Sequence, residues 1–486
     1  MASLNLLAID LGASNGRAVE GLFDGDKLTI NELHRFSNDF IDLNGIKYWD
    51  ILRLFSEIKA GLSKANSSLA SIGIDSWGVD FGLIDKRGQL LSNVRSYRMA
   101  SDKEMFDIFK IKSERELYDK SGLTSLNFNT IFQLYRRKQE NDISLNNADK
   151  ILMIPDLLGY FLSGEIGAEY TNATTTMLYD PIAKNWNFDL INELGFDKNI
   201  FPSIQPSSTI RGKLLPSIRE ELNLGSVDFV AVGTHDTASA VAAVPAKGKD
   251  FAFLSSGTWS LFGTETDAPV FSDEVFNAHY SNEGTIQGGF RPLKNIMGLW
   301  LIQECRREWI KNGNDISYDT IVNNARAAKP FRSLIDPDYA DFFEAGNMQK
   351  KIQDYCAKTG QAIPETVGEV SRCIYESLAL KYRWALDRLE EIKGEKIQSL
   401  NIVGGGIQNK LLNQFAANAT NRTVITGPIE GACIGNLLSQ AIALGELKDI
   451  NELREVVRRS FDVEEYYPQD VEQWEEAYQK LMSFSI

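Results

Sequence analysis

LSSGTWSLFG, residues 254–263, places a Ser-Ser-Gly-Thr turn directly after an apolar run that begins at Phe251. Backbone N–H groups and hydroxyls in such a turn point readily toward an anion, so the stretch predicts a phosphate-binding hairpin. Just upstream, GTHDTAS at 233–239 follows the apolar strand 230–232 and puts Asp236 where that strand ends. Because α/β sheets bind ligands at the carboxyl ends of their strands, Asp236 is a candidate base for a hydroxyl acceptor.

A comparable hairpin is predicted at the start of the chain. An apolar strand at 6–9 ends at Asp10, a turn rich in small residues covers 11–17, and strand alternation resumes over 18–23. A strand rather than a helix follows this turn, which excludes the dinucleotide-binding fingerprint. A P-loop is excluded as well, because neither Gly-Lys pair in the sequence is followed by Ser or Thr.

The order of elements repeats in the second part of the sequence. The hairpin predicted at 251–263 echoes the opening one, which indicates two similarly built halves. A length of 486 residues suits two domains better than one. We expect an N-terminal domain over 1–245 and a C-terminal domain over 246–486.

Other patterns complete the outline of both halves. The first half is predicted to contain a strand at 27–36, a helix at 49–62, a buried strand at 72–81, a hairpin at 83–90 and a short strand or ligand-facing loop at 170–176. The second half is predicted to contain a helix at 374–389, a strand at 399–403 and a helix from 410. Three glycines at 404–406 separate the last two and allow a flat ring to approach the backbone closely.

Composition limits the classes of partner. The formal charge is 51 − 66 = −15, which argues against a nucleic-acid surface. No apolar run is long enough to span a bilayer and the N-terminus lacks a signal pattern, so we expect a cytoplasmic protein without a membrane partner. We expect it to be a monomer or a homodimer. Four cysteines and three histidines match no zinc pattern. Cys356 and Cys373 are interpreted as unpaired thiols.

Four motifs, taken in order, point to a known family. DLGASNGR at 10–17, GTHDTASAV at 233–241, LSSGTWS at 254–260 and VGGGIQN at 403–409 resemble the sugar kinases of the FGGY family. DSWGVDF, EYTNATTT, LKNIMGLWLIQ and IYESLAL extend the similarity along nearly the whole chain. The resemblance implies an α/β fold of two ribonuclease-H-like (actin-like ATPase) domains, with ATP, Mg²⁺ and a sugar bound in the cleft between them.

The resemblance also implies a role for individual residues. Asp236 would be the catalytic base and Asp10 the carboxylate associated with the metal ion. The expected ATP-binding residues are Ala13, Ser14, Asn15, Gly16, Arg17, Thr258, Gln303 and Gly405. The expected sugar-binding residues are Gly78, His235, Asp236, Thr237 and Asn295.

One departure from the family pattern bears on the substrate. A Lys-Trp signature widespread in the family is absent from FNTIFQL at 128–134, which shifts the expected acceptor away from glycerol and xylulose. This departure does not decide which deoxyketose is used. The resemblance implies a ketose phosphorylated at O1, with L-rhamnulose expected and L-fuculose or another ketose as the alternative. A non-catalytic actin-like sugar sensor is a further alternative.

The residues by themselves allow simpler interpretations. Asp236 also fits a helix N-cap, and Asp10 fits a turn at a strand end. Ser14, Asn15 and Arg17 fit an ordinary hairpin turn. Trp77, Trp259 and Trp300 are predicted to be core residues.

Overall fold

The computed structural model describes residues 3–484 and contains two compact units. The first comprises the chain up to Ala243 together with Glu265–Pro292 and Glu430–Phe461. The second comprises Val244–Thr264, Leu293–Ile429 and the chain from Asp462 onward. Two segments from the second half of the sequence are therefore built into the first unit.

Strands occur throughout both units. They are β1 Leu4–Leu11, β2 Asn15–Phe23, β3 Leu28–Ser37, β4 Ile41–Leu43, β5 Ile46–Trp49, β6 Leu69–Ser76, β7 Phe81–Ile84, β8 Val94–Arg95, β9 Lys150–Met153, β10 Ala168–Glu169, β11 Tyr179–Asp180, β12 Asn185–Trp186, β13 Ile204–Gln205, β14 Thr209–Lys213, β15 Asp228–Ala231, β16 Phe251–Ser256, β17 Trp259–Gly263, β18 Ser281–Gly284, β19 Phe290–Met297, β20 Ser399–Val403, β21 Thr423–Thr426 and β22 Glu464–Tyr466.

Helices connect the strands. They are α1 Ile51–Leu62, α2 Asp102–Phe109, α3 Glu114–Ser121, α4 Thr130–Gln139, α5 Ile143–Asn146, α6 Ile154–Ser163, α7 Tyr170–Ala173, α8 Phe188–Glu193, α9 Pro216–Leu222, α10 Asp236–Ala242, α11 Asp273–Asn277, α12 Trp300–Lys311, α13 Tyr318–Ala327, α14 Met348–Lys358, α15 Val367–Lys393, α16 Lys410–Thr420, α17 Gly431–Ala443, α18 Ile450–Ser460 and α19 Val471–Met482. Short 3₁₀ helices cover Tyr97–Met99, Lys198–Ile200, Ala340–Phe343 and Gly405–Gln408.

The first unit is built around a sheet with the strand order β14-β15-β6-β1-β2-β3. β1, β6 and β15 run parallel, while β2 and β3 continue β1 as antiparallel hairpins. Successive side chains of β1 pack into different cores, because successive residues of a strand point to opposite faces of the sheet. Leu7 and Ile9 pack in one core with α1 and α6, whereas Leu6 and Ala8 pack in another with α17 and α18. The sheet is therefore covered by helices on both faces.

The second unit repeats the central arrangement of the first. Its β16 pairs antiparallel with β17 on one side and parallel with β20 on the other, as β1 does with β2 and β6. β20 continues in parallel to β21, which pairs antiparallel with β22. The long helix α15 begins with a capping box in which Thr366 and Glu369 bond each other's backbone N–H groups. Both hairpins are confirmed where the turn motifs predicted them.

Some local predictions were wrong. The segment 170–176 is not a strand: it begins with the helical turn α7, because Glu169 caps it by accepting hydrogen bonds from the N–H groups of Thr171 and Asn172, and it continues as an irregular turn over 174–176. Trp259 is not a core residue, since it is 42% exposed, while Trp77 is buried as predicted. The short strands β4 and β5 before α1 were missed.

Two further features concern the apolar character of the helices and the state of the cysteines. Across residues 3–484, no helix combines the length and apolar character needed to cross a bilayer. All four cysteines are buried free thiols.

Candidate active site

Three carboxylates lie at the carboxyl ends of the three parallel strands in the first unit. Asp10 near the end of β1 is directly opposite Asp75 of β6 in the parallel register. Beyond the end of β15, His235 forms a parallel bridge with Ser76, and Asp236 is the next residue. The sheet therefore gathers Asp10, Asp75 and Asp236 at one edge, where α/β proteins bind ligands.

Asp10 is held by Arg17, the residue opposite it in the β1–β2 hairpin. Asp10 Oδ2 accepts hydrogen bonds from Arg17 Nε at 2.9 Å and from Nη2 at 2.7 Å. Arg17 also forms an ion pair with Glu430 at the start of α17. The guanidinium is thus shared between two carboxylates, which fixes the orientation of Asp10.

Asp75 was missed by sequence reasoning. Its side chain is completely buried, its Oδ2 accepts a hydrogen bond from Asn436 Nδ2 at 2.6 Å, and its Oδ1 has no hydrogen-bond partner. Burial, followed by the negative charge of Asp10, raises the pKa of Asp75 well above its usual value. The available signal was a carboxylate within the otherwise apolar run of β6. A buried carboxylate oxygen without a partner suggests a ligand-facing group.

Asp236 is the first residue of α10, and its carboxylate lies near those of Asp10 and Asp75. Its Oδ1 accepts hydrogen bonds from Thr237 N at 2.6 Å and from Thr237 Oγ1 at 3.1 Å. The residue in the N-cap position is His235, so the N-cap interpretation of Asp236 does not describe this helix. Burial raises the pKa of Asp236, His235 opposes that rise, and Asp10 adds to it. A carboxylate with a raised pKa is a better proton acceptor.

His235 connects Asp236 to a buried ion pair. Its Nε2 lies 3.5 Å from Asp236 Oδ1, and its Nδ1 lies 3.1 Å from Glu283 Oε2. Arg291 Nη2 is 2.8 Å from the same Nδ1 and 2.8 Å from Glu283 Oε2. Although burial opposes the shift, His235 and Arg291 lower the pKa of Glu283. Sequence reasoning missed Glu283 and Arg291, whose segment joins the site only in the folded first unit.

The turn that contains Gly78 is strained and tightly held. Val79 has φ = 70°, unusual for a β-branched residue, and the N–H of Asp80 bonds the carbonyl of Gly78 across it at 2.9 Å. Thr130 Oγ1 donates to the Val79 carbonyl at 2.7 Å. A Cβ on Gly78 would lie 2.9 Å from Thr175 Oγ1. Strain of this kind is retained where a backbone shape is needed for function.

Asp80 anchors the same turn to its surroundings. Its Oδ2 accepts hydrogen bonds from the indoles of Trp49 at 2.6 Å and Trp77 at 3.0 Å, and its Oδ1 accepts one from Gln133 at 3.1 Å. Burial raises the pKa of Asp80 to about 6, although these donors oppose the rise. Asp80 therefore fixes the indole of Trp77 beside Gly78.

The first predicted phosphate turn is a tight hairpin. The N–H of Gly12 bonds the carbonyl of Asn15 at 2.8 Å, and Ser14 and Asn15 are exposed at its tip, next to Ala13. Gly16 is buried, and a Cβ there would collide with the ring of Phe36, so packing alone explains this glycine. The tip residues are therefore accessible to a ligand.

The second predicted phosphate turn lies in the second unit. Thr258 occupies the turn between β16 and β17, and its Oγ1 donates to Gln303 Oε1 at 3.2 Å. The structure thus brings together two of the predicted ATP-binding residues. Asn295, a predicted sugar-binding residue, lies on β19 opposite Leu261 and is likewise in the second unit.

The triple glycine packs beside this turn. Gly404 has φ = 90°, which favours glycine, and a Cβ on Gly406 would lie 2.6 Å from Ser256 Cβ. A Cβ on Gly405 would meet no atom within 4 Å. The backbone at Gly405 is therefore open on that side, as close approach of a flat ring requires.

Two family models match the chain. The N-terminal domain model of the FGGY family of carbohydrate kinases matches residues 5–243, and the C-terminal domain model matches residues 252–444. The chain belongs to the FGGY family of carbohydrate kinases. The resemblance inferred from the motifs is confirmed. Membership identifies the protein as a phosphotransferase with an alcohol acceptor and ATP as co-substrate.

Relatives with assigned names are similar along nearly their full length. A rhamnulokinase of Bacteroides thetaiotaomicron is 42% identical over 481 residues, which is 98% of each chain. A rhamnulokinase of Halalkalibacterium halodurans is 42% identical over 470 residues, or 96% of this chain and 99% of its own.

Solved structures confirm the fold. A ligand-bound xylulose kinase from Lactobacillus acidophilus superposes with a TM-score of 0.83 at 17% identity, covering 98% of this chain and 97% of its own. Plasmodium falciparum glycerol kinase with ADP gives a TM-score of 0.79 at 15% identity, covering 99% and 98%. The two-domain α/β fold predicted from the sequence is the fold of these kinases.

Proposed function

We propose that the protein is an ATP-dependent ketose kinase that transfers the γ-phosphoryl group to O1 of L-rhamnulose, giving L-rhamnulose 1-phosphate and ADP. The observation that carries this proposal is full-length similarity at 42% identity to rhamnulokinases. The site supports it, because a half-buried carboxylate with a raised pKa lies at the ends of the parallel strands.

Asp236 is the proposed catalytic base. Phosphoryl transfer mainly requires an aligned acceptor and neutralised phosphate charge, so one base and a rigid site are sufficient. Thr237 and His235 lie on the Oδ1 side of the carboxylate. Oδ2 then accepts the proton of the sugar hydroxyl as its oxygen attacks the γ-phosphorus.

The sugar-binding residues are proposed to be Gly78, His235, Asp236, Thr237 and Asn295. The strained turn at Val79 would present the Gly78 backbone to the sugar, and the Trp77 indole beside it is a suitable apolar contact for the methyl group of a deoxysugar.

The ATP-binding residues are proposed to be Ala13, Ser14, Asn15, Gly16, Arg17, Thr258, Gln303 and Gly405. The two hairpin turns would bind the phosphates, and the open backbone at Gly405 would contact the adenine. We further propose that 1–245 supplies the first phosphate turn and most sugar contacts, and that 246–486 supplies the second turn and the adenosine site.

Mg²⁺ is proposed as the metal ion that accompanies ATP. Within the described part of the chain, no group of three or more His, Cys, Asp or Glu side chains could hold a metal ion by itself. Asp10 and the unpartnered Oδ1 of Asp75 nevertheless fit Mg²⁺, which typically takes one or two carboxylates and draws its other ligands from phosphate and water. The ion, when bound, neutralises phosphate charge.

Replacing Asp10 by asparagine is expected to raise the Mg²⁺ concentration for half-maximal rate by roughly tenfold, because it removes one carboxylate from the site. The sugar KM is expected to change much less. Initial rates in a Mg²⁺ titration at fixed ATP measure both effects. An unchanged Mg²⁺ requirement would remove Asp10 from this role.

The proposed substrate is tested by parallel assays with L-rhamnulose, L-fuculose and L-xylulose. We expect the highest kcat/KM with L-rhamnulose, with one ADP released per sugar phosphate formed. A preference for L-fuculose would assign the alternative ketose kinase activity. Sugar binding without faster ADP release would instead indicate a sensor.

A further inference from the structure

We propose that Arg291 is a positioning residue that fixes the tautomer of His235 and so directs the His235 Nε2 proton toward Asp236 and the sugar. The inference rests on the proposed function, because it assigns His235 a role beside the proposed base. Arg291 and Glu283 carry no predicted role, and both reach His235 from the segment Glu265–Pro292 of the first unit.

The contacts of the His235 ring determine where its proton lies. A guanidinium group only donates hydrogen bonds, so His235 Nδ1, which lies 2.8 Å from Arg291 Nη2, is placed to accept with its lone pair. A neutral imidazole with an unprotonated Nδ1 carries its proton on Nε2. That proton then points to the side of Asp236 Oδ1, which is 3.5 Å away.

Glu283 favours the opposite tautomer. Its Oε2 lies 3.1 Å from the same Nδ1 and would accept a proton from it. Arg291 is closer to Nδ1 and also donates to Glu283 at 2.8 Å, so the carboxylate is already engaged by a cation. Burial lowers the pKa of Arg291, and the negative charges of Glu283, Asp236, Glu169 and Glu265 oppose that shift. Together, the contacts of Arg291 and Glu283 favour a His235 tautomer with its proton on Nε2 rather than on Nδ1.

Arg291 is a costly residue at this position. Its side chain is completely buried, and its Nε and Nη1 have no hydrogen-bond partner. A buried guanidinium with unsatisfied N–H groups is strongly unfavourable, and an apolar side chain would fill the space at lower cost. The cost is explained if the Nη2 contact with His235 is needed for function.

The tautomer orients the proposed base. Thr237 already donates to Asp236 Oδ1 from its N–H and its hydroxyl. A proton on His235 Nε2 adds a donor on the same side, so Oδ2 is left for the sugar hydroxyl. A base oriented by neighbouring groups in this way is a recurrent arrangement in enzyme sites.

Histidine-ring NMR tests the tautomer directly. The chain has three histidines, so protein labelled with ¹⁵N-histidine gives a simple spectrum, in which His235→Gln identifies the signals of His235. We expect protonated Nε2 and unprotonated Nδ1 in the sugar-free protein. Protonated Nδ1 with unprotonated Nε2, or protons on both nitrogens at neutral pH, would overturn the proposal even before any variant is made.

Three variants separate the contributions of the two neighbours. Arg291→Met is expected to move the proton to Nδ1, where Glu283 accepts it, whereas Arg291→Lys retains a cationic donor and is expected to keep the original tautomer. Glu283→Gln keeps the Arg291 contact and is expected to leave the proton on Nε2. A tautomer change in Glu283→Gln, or none in a folded Arg291→Met, would show that Arg291 does not set the tautomer.

Kinetics test the consequence for the sugar. Arg291→Met is expected to lower kcat/KM for the sugar by roughly ten- to a hundredfold, the usual effect of losing a hydrogen bond to a charged group, with less change in the KM for ATP. Arg291→Lys is expected to recover much of the loss. A tautomer change without a kinetic effect would overturn the link to the sugar. The NMR result needs no substrate, so it stands or fails independently of the proposed kinase activity.

Discussion

Replacing Asp236 by asparagine is expected to lower kcat by at least about 10²-fold while leaving sugar binding nearly unchanged. Asparagine keeps the shape of the side chain and can still accept from Thr237, so the start of α10 is preserved. It cannot accept the proton of the attacking hydroxyl. Steady-state kinetics and calorimetric titration with the sugar separate these two effects.

A matched control is available in the same unit. Asp189 is also in the first turn of a helix, but it is exposed on α8 and outside the cluster of carboxylates. Asp189→Asn removes the same charge and is expected to leave kcat unchanged. Turnover near the wild-type value in Asp236→Asn would exclude Asp236 as the base.

The pH dependence of turnover should reflect the environment of Asp236. The surroundings raise the pKa of its carboxyl above the usual value, mainly through burial. A base is inactive when protonated, so kcat/KM is expected to fall as pH decreases, with its midpoint above the usual range for aspartate. This acid limb should disappear in Asp236→Asn, because that variant has no carboxylate at position 236 to titrate.

The sequence predicted those parts of the site that depend on local pattern. Asp10 and Asp236 follow apolar runs, so their positions at strand ends could be inferred from the residues beside them. The hairpins were predictable for the same reason, since alternation and a turn of small residues are both local features. Their pairing in the structure agrees with that prediction.

The missed residues depend on contacts between distant parts of the chain. Asn436, the partner of Asp75, is 361 residues away in sequence. Nothing in the apolar run of β6 indicates that α17 returns to cover it. Arg291 and Glu283 likewise reach His235 only because their segment joins the first unit. Patterns within a short stretch of sequence carry no information on which distant residues will be in contact.

The contact between α10 and α17 gives a prediction about stability. A Cβ at Gly435 of α17 would overlap the carbonyl oxygen of Ser239 and lie 2.6 Å from its carbonyl carbon. Both atoms are backbone, so no side-chain rotation relieves the overlap, and α10 itself must move. Gly435→Ala is therefore expected to lower the free energy of unfolding by about 3 kcal/mol, the upper part of the usual range for overpacking.

The sign of this effect distinguishes packing from helix propensity. Alanine is a better helix former than glycine by about 1 kcal/mol, so an isolated helix would gain stability from the same change. Gly225→Ala is a control for the glycine-to-alanine change without overlap, because Gly225 lies outside the helices and a Cβ there meets no atom within 4 Å. That control is expected to stay within about 0.5 kcal/mol of the wild type in urea unfolding. Unchanged stability in Gly435→Ala would show that α10 and α17 are not in close contact.

The same substitution should also reduce turnover, because α10 begins at Asp236 and Ser239 lies one turn further along it. Ser239 Oγ bonds the carbonyl of Gly233, on the segment that leads into His235, at 2.7 Å. A displacement of Ser239 therefore moves Asp236 in two ways, through α10 itself and through the segment that precedes His235. A shift of the Asp236 carboxylate by about 1 Å is enough to lower the rate by roughly 10²-fold. Loss of turnover with retained sugar binding at a temperature where Gly435→Ala remains folded would show that helix packing positions the base.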